Sequence, residues 1–515
     1  MKRILVILIA LAAVLSAGAQ DFVINNGSEP ASLDPHYIEG VPEHRLYMAL
    51  FEGLTINDPK TSRVIPGVAE KWAFTKDYKT ITFNLRKSVW SDGVPVTAND
   101  FVKSWIRKLD PKNAFQYADL LYDVVGAREY NEGKAGPEAL KVKAVSDYVF
   151  EVQLVNATPH FVDKTAHYAF AVVPMHAIDK FGKDWVKAGN MVSNGPFTLK
   201  EWKPQERVVV EANPKYWDAK VVRLKKVTFY PIDDINTAYQ MYKAGQVNWI
   251  DTVPSELMDE IKLRKDFQVA PQYGTYYLNY NVTRKPMDDA RVRKALGMAI
   301  DRKALVETVT KGGQIPAQTF VPPSSGFTPP KGYGYNPEEA KKLLAAAGFP
   351  GGKDFPAFTI LYNTSSNHKR IMEFIQAQWK TNLGITVELK NQDFATYLDT
   401  KNKAHDFDIA RAGWIADYLD PATFSDMFET GNSQNSGLYS SKKYDAALAK
   451  SRAQLGSARF ASLMEAEKVL IDEDYAVLPI YHYVTQNMID LDAWDGWYKN
   501  PLNAHPWKFI GPKKK

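Results

Sequence analysis

Apolar and polar residues alternate in several short stretches of the chain. In YKTITFNLR (78–86), Ile81, Phe83 and Leu85 share one face; in DYVFEVQLV (147–155), Tyr148, Phe150, Val152 and Leu154 do the same. A period of two predicts half-buried strands. Elsewhere the period lengthens. After the SDG turn at 91–93, TANDFVKSWIRKL sets Phe101, Val102, Trp105, Ile106 and Leu109 at helical spacing behind Thr97, a cap candidate. NPEEAKKLLAAAGF places Asn336 at an N-cap, Pro337 in the first turn, acids at the positive helix end and Gly348 at the stop. DDARVRKALGMAIDRKALVETV, from Asp288, reads as two consecutive helices capped by Asp289 and Asp301, with Val292, Leu296, Ala299 and Ile300 as the buried stripe.

The two patterns interchange throughout, without a repeat of roughly 20 to 50 residues or a low-complexity tract, so the chain is read as mixed α/β. Its 515 residues suffice for about three domains of about 150 residues. The Pro- and Gly-rich stretch 321–337 is the clearest long loop, and loops of that length are often functional.

The N-terminal pattern differs. Lys2 and Arg3 precede an apolar run that ends in Ala17, Gly18 and Ala19, an A-x-A arrangement that predicts a cleavable export signal over 1–19. The run is shorter than the roughly 20 residues of a bilayer span, and none like it recurs. A soluble protein outside the cytoplasm is therefore expected. Cysteine is absent, which excludes disulfides, Cys-zinc sites, thiol nucleophiles and lipoprotein anchoring. The formal charge of +5 loses two positive charges with Lys2 and Arg3. This near balance argues against nucleic acid as a partner, and Lys513–Lys515 reads as a solvated tail.

No P-loop, H-E-x-x-H or G-x-S-x-G sequence occurs, and the nine histidines lack metal-ligand spacing. Neither a metal nor a cofactor is expected. Asp233-Asp234 and Asp288-Asp289 suit helix caps and turns better than a glycosidase pair. Aromatics gather around scattered charges in GTYYLNYN (274–281), NAFQYADLLY (113–122), HYVTQNM (482–488) and GWIADYLDPATF (413–424). Such residues line ligand cavities or fill cores. Asp417, within the last stretch, reads from its residues alone either as part of a capped turn before Pro421 or as a buried counter-charge.

Taken together, GSEPASLDPHYIEGVPE (27–43), LFEGL (50–54), GVAEKW (67–72), FNLRKSVWSDGVPVTANDFVKSW (83–105), NGPFTLKEW (194–202), NPKYWD (213–218) and ARAGWIADYLDP (410–421) resemble the extracytoplasmic peptide-binding proteins of ABC importers, solute-binding family 5, over nearly the whole mature chain. The resemblance implies a two-lobed, type II periplasmic-binding-protein-like clamp of three domains with a hinge between lobes. Domain I would comprise 20–51, 176–277 and 486–515, domain II 52–175 and domain III 278–485. It implies a monomer in the periplasm that captures extended short peptides and delivers them to a permease with ATPase subunits. Main-chain bonding would make affinity tolerant of side-chain identity.

By the same resemblance Asp417 pairs with the ligand's α-ammonium, and Gly413, Trp414 and Ile415 fall where backbone pairs with the ligand. Glu39, Gly40 and Val41, a strand-like segment, bond to the peptide's other side. Tyr117 and Tyr277 line the cleft. Arg411 and His368 match cations that meet the peptide carboxylate, Arg411 with a planar fork suited to two parallel hydrogen bonds. Lys401 is a looser match and Lys311 lies near a further family lysine. Phe394 replaces a family tryptophan and lacks its indole N–H; Ile415 stands where relatives carry half a disulfide. Dipeptide, murein-peptide, nickel and haem carriers are alternatives within the family. A periplasmic hydrolase and a chaperone-like role compete from outside it.

Overall fold

The computed structural model describes residues 21–324 and 326–514, so the export signal expected over 1–19 lies outside the described residues. The alternating stretch at 78–86 forms the strand Thr80–Leu85, with Ile81, Phe83 and Leu85 turned inward. It pairs antiparallel with Ala69–Phe74 on one side and Val149–Gln153 on the other, and Val142–Ser146 completes a four-stranded sheet. Tyr148 departs from the face expected of it. It belongs to the turn before Val149–Gln153, where the strand's alternation has not begun, and is only half-buried.

The helix Ala98–Leu109 covers the sheet's inner face, its Trp105 ring edge-on to Phe150 at 5.0 Å and to Phe170 at 5.4 Å. It begins at Thr97 as the sequence predicts. Asp100 accepts from the Thr97 amide at 2.7 Å and from its hydroxyl at 2.9 Å, a capping box that fixes the first turn.

A larger sheet gathers eleven strands among the described residues. One half runs Phe197–Lys203, Arg207–Ala212, Lys226–Tyr230, Phe22–Asn25 and Trp249–Ile250; the other runs Ile409–Ile415, Thr359–Asn363 and Glu388–Gln392, and the short Ile315–Pro316 pairs beside Val477–Ile489 off this path. Two long antiparallel strands, Phe267–Tyr280 and Val477–Ile489, join the halves. Their ladder is interrupted between Pro271 and Thr275, where proline has no N–H to give. Beyond the gap, Gly274–Tyr280 takes Ile415–Ile409 as a second neighbour. The chain thus forms two lobes around a crossing of two strands.

Predicted helices form for the expected reasons. Asn336 accepts from the Glu339 amide at 3.1 Å to start Pro337–Ala346, and Gly348 beyond its end adopts a φ of +101°. Asp289 and Asp301 cap Ala290–Met298 and Arg302–Leu305, and the stripe from Val292 to Ile300 is fully buried. The second of these has only four residues before it widens through Val306–Thr310. None of the described residues of the loop at 321–337 lines the cavity between the lobes, contrary to a functional role there. Its start is tied down instead, because Glu467 accepts from the Phe320 and Val321 amides at 2.6 and 3.2 Å and Phe327 is buried.

Trp105 is fully buried and donates Nε1–H to the Phe170 carbonyl at 3.1 Å. Trp105→Ala is expected to lower unfolding stability by about 3–5 kcal/mol in a denaturant titration, with Trp105→Phe losing less because ring packing is partly kept.

Candidate functional site

The lobes enclose a cavity of about 480 Å³. Its defining wall is the strand Ile409–Ile415. Along one edge this strand is paired with Gly274–Tyr280 for its full length; along the other, pairing with Thr359–Asn363 stops at Ala410. Backbone groups alternate direction residue by residue in such a ladder. The Arg411 carbonyl accepts from the Tyr397 hydroxyl, on the side away from the paired neighbour. Gly413 and Ile415 therefore present their N–H and C=O along the same unpaired edge, while Trp414 turns its backbone into the sheet and offers its ring, stacked 6.1 Å from Tyr117. A free strand edge in a cavity is a template for another extended chain.

Charges stand at intervals along that edge. Past the strand's end, the Asp417 side chain is 9% exposed and lies 3.3 Å from Thr423 Oγ1 and 3.3 Å from His167 Nε2 of the opposite wall. The turn through Pro421 into the helix Ala422–Ser425 is held by Asp420, which accepts from the Ala422 amide at 2.9 Å and is bound by Arg459. Asp417 is thus not needed as the cap. Among the described residues no lysine or arginine forms an ion pair with it.

Arg411 is held by neutral groups: Asn363 Oδ1 at 3.1 Å, the Tyr483 hydroxyl at 3.0 Å and the Tyr276 ring at 4.5 Å. No carboxylate among the described residues pairs with it, and its Nε is buried without a partner. A desolvated guanidinium in that state favours an incoming anion. His368 lines the cavity beside it, Nδ1 3.3 Å from the Tyr276 hydroxyl. Expected as a cation, it is instead a neutral ring, because burial first and Arg411 second hold its pKa well below the usual value.

Lys401, also in the wall, gives Nζ to Ser436 Oγ at 3.2 Å, and burial pushes its pKa down to about 8. Lys311 does not line the cavity. Its ammonium is taken by Asp259 at 2.7 Å.

On the opposite wall Glu39 accepts from Asn402 Nδ2 at 3.1 Å, an interlobe contact, and Gly40 keeps extended backbone (φ −139°, ψ 169°). Val41 corrects the expectation of a strand-like run, since it is the first residue of the helix Val41–Leu50, with Pro42 in the opening turn. Phe394 opens the short helix Phe394–Leu398 and packs over Gly40. Tyr117 adopts φ +61° in the wall near His167, 5.2 Å between rings, and Tyr277 faces the cavity from the central strand with its ring against Phe320. Four further residues complete the site: His167, Asn363, Tyr276 and Tyr483. Tyr276 and Tyr483 stood in aromatic runs noted in the sequence; His167 and Asn363 have no local spacing that marks them. Among the described residues no group of three or more acids and histidines is gathered as for a metal ion, and no helix is long and apolar enough to cross a membrane.

Residues 63–436 match the family described as bacterial extracellular solute-binding proteins, family 5. The periplasmic oligopeptide-binding protein OppA of Escherichia coli K12 is 39% identical, over 96% of this chain and 94% of its own. The Haemophilus influenzae OppA structure in complex with RPPGFSPFR superposes with a TM-score of 0.92 at 36% identity, covering 96% of this chain and 99% of that one. The E. coli murein tripeptide binding protein MppA gives 0.93 at 37% identity, covering 97% and 99%. Against the unliganded open form of MppA the score falls to 0.66 at 36% identity and coverage of 97% and 98%. The lobes here stand in the closed arrangement.

A Cβ on Gly413 would lie 2.3 Å from the Tyr483 hydroxyl, which Arg411 holds. Gly413→Ala is expected to weaken binding of an extended ligand along this edge by about tenfold, roughly 1.4 kcal/mol, in calorimetry, while leaving the thermal unfolding midpoint nearly unchanged.

Proposed function

This chain belongs to the bacterial extracellular solute-binding proteins, family 5, and from that premise we propose that it is the periplasmic substrate-binding component of an ABC peptide importer. It captures short peptides in an extended conformation between its lobes and delivers them to a membrane permease energised by ATPase subunits. The observation that carries this reading is the edge of Ile409–Ile415 left unpaired beyond Ala410, with an acid that no lysine or arginine pairs and a guanidinium that no carboxylate pairs among the described residues. An extended peptide supplies what each lacks: backbone donors and acceptors for Gly413 and Ile415, an α-ammonium for Asp417 and a carboxylate for Arg411.

The same reading assigns the three-domain division of the clamp, with domain I in 20–51, 176–277 and 486–515, domain II in 52–175 and domain III in 278–485, and a monomer released to the periplasm by cleavage of 1–19. The family's role is solute capture rather than catalysis. A narrower second reading, murein peptide, is favoured by the likeness to MppA, and such a ligand also presents an amine and carboxylates.

Asp417→Asn is expected to cost unmodified peptides about 3–5 kcal/mol, since a buried ammonium is left without its acid, and N-acetylated peptides little. Calorimetry with matched peptides reads the difference; equal losses for both would remove the ammonium role. Arg411→Ala should weaken some peptide lengths much more than others, because only certain lengths bring the carboxylate to it. Uniform loss across a length series would make Arg411 structural.

A further inference from the structure

Glu43 lies in the first turn of the helix Val41–Leu50, just behind the wall formed by Gly40, and is buried. Its Oε1 accepts from the Ala31 amide at 2.9 Å, and its Oε2 is buried with no hydrogen-bond partner. Among the described residues no cation pairs with it. Arg45, on the same helix, is committed to Asp251, and the charged groups that bear most on Glu43, Glu39 and Glu29, are both acids. An ionised carboxylate so placed is costly.

Phe394, from the other lobe, stands against the same glycine as this carboxyl. Glu43 Oε2 and Phe394 Cε1 both lie 3.0 Å from the point where a Cβ on Gly40 would sit. Only the missing side chain of Gly40 lets the phenyl ring and the carboxyl approach the same spot. Opening would carry Phe394 away with its own lobe and leave Gly40, which has no side chain, between Glu43 and solvent. The exposed carboxyl then sits at a helix N-terminus, which favours its charged form.

We infer that Glu43 is a proton-coupled seal of the clamp: closure over a peptide sets Phe394 against it and draws one proton from solvent onto its carboxyl, and opening returns that proton. The inference rests on the peptide-capture reading and adds the proton as a second ligand of the closed form.

Burial, with Glu39 and Glu29 adding to it, raises the carboxyl to about 7 in the closed arrangement, against about 4.3 for a solvated glutamate. A group whose pKa is higher closed than open favours closure fully below its open pKa and loses that contribution as pH rises through its closed pKa. Affinity is therefore highest in mild acid and falls through neutrality. Two nearby groups, Lys108, pushed down to about 7 by burial and bonded to the His36 and Gln116 carbonyls, and His167, facing Asp417, are left in place when Glu43 is changed, so the Glu43→Gln comparison isolates the Glu43 part. His44 on the same helix is held at about 3 by burial and Tyr168 well above its usual value, so neither titrates between pH 6 and 7.5. Lys401, at about 8, acts above that window and with the opposite sign. On the Phe394 helix, Asp393 is kept ionised by its bonds to Thr396 and Tyr397 is raised beyond the window by burial.

The test is isothermal calorimetry of the natively purified protein with a tripeptide lacking ionisable side chains, at pH 6 and 7.5, in two buffers of different ionisation enthalpy. Wild type is expected to bind about tenfold more weakly at pH 7.5 than at pH 6 and to take up close to one proton per peptide at pH 6. Glu43→Gln should bind with no such slope and no uptake, and Phe394→Ala, which leaves the carboxyl wet when closed, should lose the slope too. A flat wild-type profile, or a slope that persists unchanged in both variants, overturns the inference while leaving peptide capture intact. Failure of wild type to bind the peptide at either pH would instead strike the reading beneath it.

Discussion

A β-strand edge that ends its pairing inside a cavity is the constraint around which this molecule is arranged. Buried backbone N–H and C=O groups require partners, and from Gly413 to Ile415 the strand has them on one side only. Any chain that fills the cavity in extended form completes the sheet, and it does so whatever its side chains. The two halves of the sheet meet at the crossing strands Phe267–Tyr280 and Val477–Ile489, whose mutual ladder breaks at Pro271–Thr275.

Charge is distributed by the same logic. Ions that hold the fold together are paired within it, as Arg459 with Asp420, Arg107 with Asp34 and Lys164 with Asp123. Those in the cleft are placed differently: Asp417 lies beside Thr423 and His167 with no lysine or arginine paired to it among the described residues, and Arg411 lies beside Asn363 and Tyr483 with no carboxylate. Preorganised, uncompensated charges of opposite sign at separate points along a free edge recognise a zwitterion laid out between them. Closure then has an energetic reason, since it desolvates both ends only when a ligand supplies the missing partners.

Much of this is legible along the chain where the causes are local. The caps at Thr97, Asn336, Asp289 and Asp301 and the alternation at 80–85 depend on residues within a turn of one another, and each forms as its neighbours dictate. The site residues in the GWIADYLDP stretch and Arg411 were reachable through family resemblance, which carries tertiary information that spacing does not. What escaped depends on contacts between distant segments. Val41 reads as extended beside Glu39 and Gly40, yet Pro42 and the Gly40 cap start a helix there. His368 is held well below its usual pKa by burial and, second, by Arg411, 43 residues later in the chain, both of which depend on how distant segments pack. His167 meets Asp417 across the closed lobes, and no pattern near either residue foretells the contact.

The central claim is that an extended peptide is the piece the cleft lacks. It is tested most directly by purifying the protein natively, denaturing it and identifying by mass spectrometry the small molecules it releases. A ladder of mixed short peptides with free amino and carboxyl ends is the predicted result. Release of a single non-peptide species, a metal complex or haem in place of peptides, would contradict it.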